Sequence, residues 1–581
     1  MASDIESAAI KGLDKLYEFE REPVSEDKLQ PGKHFAGVFA GEHVAGTEFV
    51  IGALFVGWGA SAYDIFVGLL LGNLMAVLTW TFVCAPIAVQ TRLTLYWYLR
   101  KIAGPVTTTI YNILNAVLFC ILAGCMITVS ASAVRVPFGS ERFPSGIAPQ
   151  TGWLPTDFRF VLIVIVVGAV VVTLAILGFK KLAQFAEVCS PWMFLMFIAG
   201  GLSVLPYLAK EGLGGQMGSW QDFWTLANKE IWTGVAPKGD PKISFWHVAA
   251  FAWICNLAMH GGLSDMALLR YAKRASYGLF SAFGMFLGHY LAWICAGIMG
   301  AATAMYLSTP IGKLDAGGVA WHALGWAGIL AAIIAGWTTS NPTLYRAGLA
   351  FQAVTPGWPR WLVTLVAGAI TTVIACSPFV FTKLLDFVGY YGLLLMPVGS
   401  IVFVEHWIFP KLGLTQFWVS RKKLVFSWPA LAAWGIAIAV AITLEKTGTL
   451  HLFFLFVPTW LLTAVLYIIF ASMAGAREKF DEPVPLETTP AAPEPSQDTE
   501  DKVKMPEWTK KPAKQDPVLW ICAIVAMASL AACLILPVWL YKTGGQEYER
   551  KVAFFKSALI WPTLIYFVAG TIWAVKRDRA Q

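Results

Sequence analysis

Residues 41–48 read Gly-Glu-His-Val-Ala-Gly-Thr-Glu. They lie inside a stretch, 36–59, that is otherwise apolar and about the length of a membrane-crossing helix. Two glycines, two carboxylates and a histidine are costly in hydrocarbon unless they face a protein cavity. The stretch therefore reads as a membrane helix broken near its middle. A second interruption, Asn-Leu-Ala-Met-His-Gly-Gly-Leu-Ser-Asp, stands at 256–265. The two breaks fall in the first and sixth predicted spans, five apart, as an inverted-repeat transporter requires.

The surrounding chain supports a membrane reading. Of its 581 residues 57% are hydrophobic and 14% charged, against roughly 25% charged in soluble domains. Mean hydropathy is +0.63. Apolar residues come in continuous runs such as Phe160–Leu177, Gly328–Gly336 and Pro517–Leu540, without strict alternation, which selects helices over a barrel. Predicted spans cover 36–59, 64–88, 105–130, 159–179, 185–207, 244–268, 275–306, 320–350, 360–382, 385–409, 426–445 and 451–473. Two more follow at 517–541 and 555–575.

With a cytoplasmic N-terminus, the even connections carry Arg92, Arg100, Lys101, Lys180, Lys181, Arg270, Lys273, Arg274, Arg346, Arg360, Lys411 and Arg421–Lys423. The opposite loops are mixed or acidic, as the positive-inside rule expects. The last hairpin fits less well, since its outer loop holds Lys542, Arg550, Lys551 and Lys556. The net charge of +7 thus reports topology and implies no nucleic-acid partner. Residues 1–35 form a polar cytoplasmic segment without a signal-peptide core, 36–473 the core, and 517–575 a C-terminal hairpin. Between them, 474–516 is rich in Pro, Glu and Thr and reads as a flexible cytoplasmic linker. The hairpin's partner is left open.

The nine cysteines lie in or beside apolar segments, with no metal or disulfide spacing. P-loop, H-E-x-x-H and G-x-S-x-G motifs are absent, so no enzyme chemistry is indicated. The eighth span carries Gly336-Trp-Thr-Thr-Ser-Asn-Pro342. Adjacent Thr hydroxyls and freed carbonyls suit a hard cation such as Na⁺, although membrane Ser and Thr commonly bond their own helix. Glu48, just past the first break, is the preferred functional acid, able to titrate or to neutralise a cationic solute; Glu42 is a second. His43 and His260 are candidates for a proton relay or for ordinary interior hydrogen bonding. Asp265 with Arg270 reads as a helix-end pair at the cytoplasmic mouth, and Glu405 with His406 as interfacial.

Four segments together resemble the nucleobase–cation symporter family, which includes cytosine permeases and hydantoin transporters. They are Asp64–Thr91 with its Gly72-Asn73-Leu74, Gly178–Pro191, Gly261–Gly288 and, most specifically, Trp337–Leu349 (WTTSNPTLYRAGL). Pro397-Val398-Gly399 adds weaker support, and the likeness covers about 36–472. The resemblance implies an all-α LeuT-like fold of two inverted five-helix repeats, about twelve core spans in all, beside the C-terminal two-helix hairpin. It further implies alternating-access uptake of a small heterocyclic solute, driven by Na⁺ or H⁺, in the inner cell membrane.

By the same resemblance, Thr338 and Thr339 match hydroxyl ligands of the family's sodium site, and Gly41 and Val44 its carbonyl ligands. Phe119 matches a base-stacking Trp; Asn256, Leu257 and Met259 match substrate-facing positions, as does Ser340. Gly46 and Glu48 complete the substrate candidates from the first break. The chain departs from the pattern where Phe119 lacks an indole donor, where Ser340 replaces a larger amide, where Ala335 replaces the Asn of cytosine permeases, and where Glu42 and Glu48 bring in carboxylates. Those departures argue against ordinary cytosine specificity. They leave an amine or amino acid solute, or a transporter-like sensor, as alternatives.

Overall fold

The computed structural model describes residues 18–19, 21–140, 143–150, 152–236, 242–378, 384–480, 517–543 and 545–580. Most of the 474–516 linker and the start of the N-terminal segment therefore lie outside the described residues. Helices account for the fold, with three isolated β-bridges as the extended pairing among described residues. The first span is the bent pair Gly32–His43 (α1) and Glu48–Gly57 (α2), 51° apart. Asp64–Thr91 (α3), Leu95–Arg135 (α4), Phe158–Ile176 (α5) and Phe179–Leu213 (α6) complete the first repeat. The sixth span is Phe245–Ile254 (α7), Leu257–His260 (α8) and Met266–Leu269 (α9). Ala275–Leu307 (α10) follows, then Ala316–Leu324 (α11), Trp326–Gln352 (α12), Arg360–Ala375 (α13) and Leu384–Phe403 (α14). Trp428–Lys446 (α15) and Phe456–Ala474 (α16) lie outside the two repeats. The hairpin is Pro517–Lys542 (α17), Gly545–Ala558 (α18) and Ile560–Ala580 (α19).

Among the described residues ten helical runs, counting α18 and α19 together as Glu547–Arg577, are long and apolar enough to cross a membrane, and the bent first pair makes an eleventh. The sixth, eighth and ninth spans fall short of that test. The sixth is broken and the ninth has only 16 residues, while the eighth carries the polar Thr-Thr-Ser-Asn run. The predicted helix 320–350 is in fact two, because Gly325 turns the chain at φ 62, ψ −136. The third helix starts ten residues earlier than expected, at Leu95, and is interrupted at Gly104 (φ 77).

Close packing repeats between the halves. A Cβ at Gly72 of α3 would lie 2.1 Å from the Ala249 carbonyl of α7; one at Gly288 of α10 would lie 2.0 Å from the His43 carbonyl of α1. Second span against sixth thus mirrors seventh against first, and only glycine admits either approach. The same two spans share π-helical stretches, Asp64–Gly68 and Trp80–Cys84 in one and Phe283–Ala292 in the other. Such π segments are uncommon and concentrate at functional positions.

The hairpin has a definite seat: α17 and α19 pack on α6. Trp192 Nε1 donates to Thr563 Oγ1 at 3.0 Å, Tyr566 OH donates to the Val188 carbonyl at 2.7 Å, and Arg577 pairs with Glu187 at 2.7 Å. Glu187 also faces His34 of α1 at 3.7 Å. At the other end of the chain, the carbonyls of Glu18 and Phe19 accept from Arg270, at 2.8 and 2.6 Å.

Candidate functional site

Helix α1 ends where Val44 leaves helical geometry (φ −89, ψ 62), and α2 restarts at Glu48. The last carbonyls of α1 lack intrahelical partners, and Thr339 Oγ1 of α12 lies 2.7 Å from one of them, that of Glu42. Ser190 Oγ of α6 lies 3.0 Å from the Gly37 carbonyl in mid-helix and 2.5 Å from the Ala186 carbonyl of its own helix. Thr339 also reaches the Ala335 carbonyl at 2.9 Å. Thr338 Oγ1 lies 3.2 Å from that carbonyl and 3.7 Å from Met193 Sδ. Gly41 lies close on α6, where a Cβ would meet Ser190 Oγ at 3.2 Å. The Thr339 hydroxyl thus links α12 to the end of α1, while the Thr338 hydroxyl bonds within its own helix.

The second break runs from Asn256 (φ −116, ψ 32) through Leu263, whose φ is 63. Asn256 Nδ2 lies 3.5 Å from His289 Nδ1, and His289 Nε2 lies 3.6 Å from Glu48 Oε1. The two breaks thus meet through one histidine. Phe119 sits edge-on to Tyr391 (ring centroids 5.9 Å apart, 89° between planes), and Leu257 packs against Gly392 beside that tyrosine. Met259 is buried, its carbonyl accepting from the Asp265 N–H at 3.2 Å. Apart from Asn256, which is partly exposed, every residue expected at the site is buried.

Two expected residues are occupied in packing or in their own helix. A Cβ at Gly46 would touch the Ala332 carbonyl and Val129 Cγ1 at 3.0 Å, so Gly46 wedges between α12 and α4. Ser340 gives its hydroxyl to the Gly336 carbonyl of its own helix.

Three charge readings need correction. Arg346 does not lie in a cytoplasmic loop. It is fully buried, with Nη1 and Nη2 on the two Glu42 oxygens at 2.6 and 2.9 Å, and Nε and Nη2 on Asp265 Oδ1 at 2.9 and 2.5 Å. Asp265 therefore pairs with Arg346, not Arg270, and its Oδ2 accepts from Trp80 Nε1 at 2.6 Å. Arg270 is buried against main-chain carbonyls and the hydroxyls of Tyr271 and Tyr345. Glu405 is likewise buried rather than interfacial, accepting from the Tyr467 hydroxyl and from the Phe417 N–H at 2.6 Å.

The histidines are hydrogen-bonded interior residues, His43 Nδ1 on the Phe39 carbonyl at 2.8 Å and His260 Nε2 on the Trp253 carbonyl at 2.9 Å. Sequence reasoning missed Arg346 and His289. One signal for the first was present: Arg346 follows Thr339 by seven residues, two helical turns, and so shares its face.

No family model and no curated protein matches the sequence. Solved structures do match. A nucleobase-cation-symport-1 family transporter, Mhp1, in a closed conformation with bromovinylhydantoin bound, superposes at a TM-score of 0.59 and 14% identity over 80% of this chain and 98% of that one. The inward-facing conformation of Mhp1 gives 0.57 and 16% over 79% and 94%. A Na⁺-coupled sialic acid symporter in a substrate-bound, outward-open state gives 0.54 and 12% over 81% and 97%. The chain has the LeuT-type fold of these transporters.

Proposed function

We propose that this chain is a secondary active transporter that takes up a nucleobase-like or related small heterocyclic solute by cation-coupled alternating access. The observation carrying this reading is the meeting of two broken helices at a buried polar site beside an aromatic pair, Phe119 and Tyr391. A flat ring stacks on an aromatic face, while Asn256 and the open backbone of the breaks supply hydrogen bonds. Leu257 and Met259 shape the apolar side. Gly41, Val44, Thr338 and Thr339 hold Na⁺ in this scheme. The protein sits in the cell membrane with its N-terminus in the cytoplasm. The likeness to a hydantoin-bound symporter and to a Na⁺-coupled symporter supports the solute class and the coupling.

A second reading, an amine or amino acid solute, is favoured by one observation: Glu48 Oε2 is buried without a hydrogen-bond partner. The test for both is thermal stabilisation of the purified protein by nucleobases, hydantoins and amines, with and without Na⁺. A ligand at 100 times its Kd adds about 2.7 kcal/mol. Na⁺-dependent shifts with heterocycles support the first reading. Shifts confined to amines replace it with the second, and none with any compound overturns both solute classes.

A further inference from the structure

Glu48 is the first residue of α2, and only 2% of its side chain is exposed. A carboxylate so placed needs a compensating cation or a proton, because an isolated charge in an apolar interior is costly. The buried guanidiniums among the described residues are occupied elsewhere, Arg346 by Glu42 and Asp265, and Arg135, Arg270 and Arg360 by main-chain carbonyls. The titratable groups near Glu48 are His289 of α10, His43 of α1, whose ring lies 5.2 Å from His289, and Cys255 and His260 of the broken sixth span. None is a fixed cation.

The hydrogen bonding of His289 narrows this further. Its ring stacks on Trp293 (4.4 Å, 9°), which holds its plane. Its Nδ1 faces the Asn256 side-chain amide at 3.5 Å, and its Nε2 faces Glu48 Oε1 at 3.6 Å. The imidazole brings no fixed charge and no guanidinium is in reach, so a proton on the carboxyl is what removes the charge of Glu48. Glu48 Oε2 has no hydrogen-bond partner in the structure.

From this geometry we infer that Glu48 is a proton-binding site, positioned by His289, and that a proton is a coupling ion of this transporter, bound apart from the Thr338–Thr339 oxygens. The step is a simple exchange. A proton from water joins the Glu48 carboxylate when the first break is open to one side, and leaves it to water when the break opens to the other. The direction of that exchange rests on the transporter reading; the occupancy of Glu48 does not.

The experiment is infrared difference spectroscopy of the full chain in lipid vesicles, stepped from neutral to alkaline pH without added solute. Wild type is expected to show the carbonyl stretch of a buried protonated carboxyl that disappears on alkalinisation, with Glu48→Gln lacking it. His289→Gln is expected to keep the band but move its pH midpoint, which a merely space-filling histidine would not do. Spectra of wild type and E48Q that superimpose at every pH overturn the proposal. If E48Q does not fold, Glu48→Asp decides. A band shifted in frequency upholds the site, and an unshifted band overturns it. A Glu48 band in a protein that no tested solute stabilises leaves the proton site standing and removes the two proposed solute classes. The converse result removes only the proton site.

Discussion

Arg346 Nη1 lies 2.6 Å from Glu42 Oε1, so the last turn of α1 and the C-terminal half of α12 are joined by a guanidinium buried from solvent. The same guanidinium binds Asp265, just beyond the second break. One side chain therefore ties both interrupted helices to the eighth span. Two carboxylates face the one guanidinium, so the cluster holds one more acid than base. Such a network contributes less to net stability than its geometry suggests, yet removing one member is severe, because the others are left uncompensated.

Arg346→Met is expected to lower stability by about 3–5 kcal/mol by that argument, read as the midpoint of thermal unfolding in detergent. Adding Glu42→Gln and Asp265→Asn should recover part of the loss. A single variant that unfolds like wild type would show that the cluster is not buried as described.

Thr338→Ala combined with Thr339→Ala removes both candidate hydroxyls. Loss of the Thr339 contact to the Glu42 carbonyl should cost about 1 kcal/mol without any cation. On top of that, any stabilisation by Na⁺ should vanish. Retained Na⁺ stabilisation would place the cation elsewhere.

Gly288→Val would drive a side chain into the His43 carbonyl, and Gly72→Val into that of Ala249. Each should cost at least the ~1–3 kcal/mol of an overpacked core. Gly435→Ala is the control: a Cβ there meets nothing within 4 Å, and in the interior of α15 it should stabilise by up to about 1 kcal/mol. Equal behaviour of the three variants would argue against the paired close approaches.

Thr563→Val leaves the buried Trp192 indole without its acceptor, at a cost of about 1–3 kcal/mol. Faster amide exchange is expected in α17 and α19 and along the facing side of α6, with the first break unchanged. Unchanged exchange throughout would mean that this contact does not hold the hairpin.

Much of the fold was legible because hydrocarbon permits so few backbone solutions: apolar runs and loop charges suffice to place spans such as α5 and α17. The breaks were legible for the related reason that glycines and carboxylates inside a span demand an explanation. The site was less so. Arg346 carries the same charge as a loop arginine, and a loop charge is what the topology rule looks for. Only its position two turns beyond Thr339 marks it as interior. His289 sits in a π-helical stretch, where side chains drop out of the usual 3.6-residue register, so helical spacing does not aim it at Glu48. Ser340 was placed at the site by likeness and Gly46 by its position in the first break; the Ser340 hydroxyl bonds its own helix, and Gly46 packs between α12 and α4.

The contact of Trp192 with Thr563 joins residues 371 positions apart. During synthesis at 5–20 residues per second, the fifth span waits roughly 20 to 75 s for its partner. Through that interval the surface later covered by the hairpin faces lipid or the insertion machinery. A chain halted at a stop codon within 481–516 would thus release a core with the α6 surface uncovered, a feature by which membrane quality control can tell it from the finished protein.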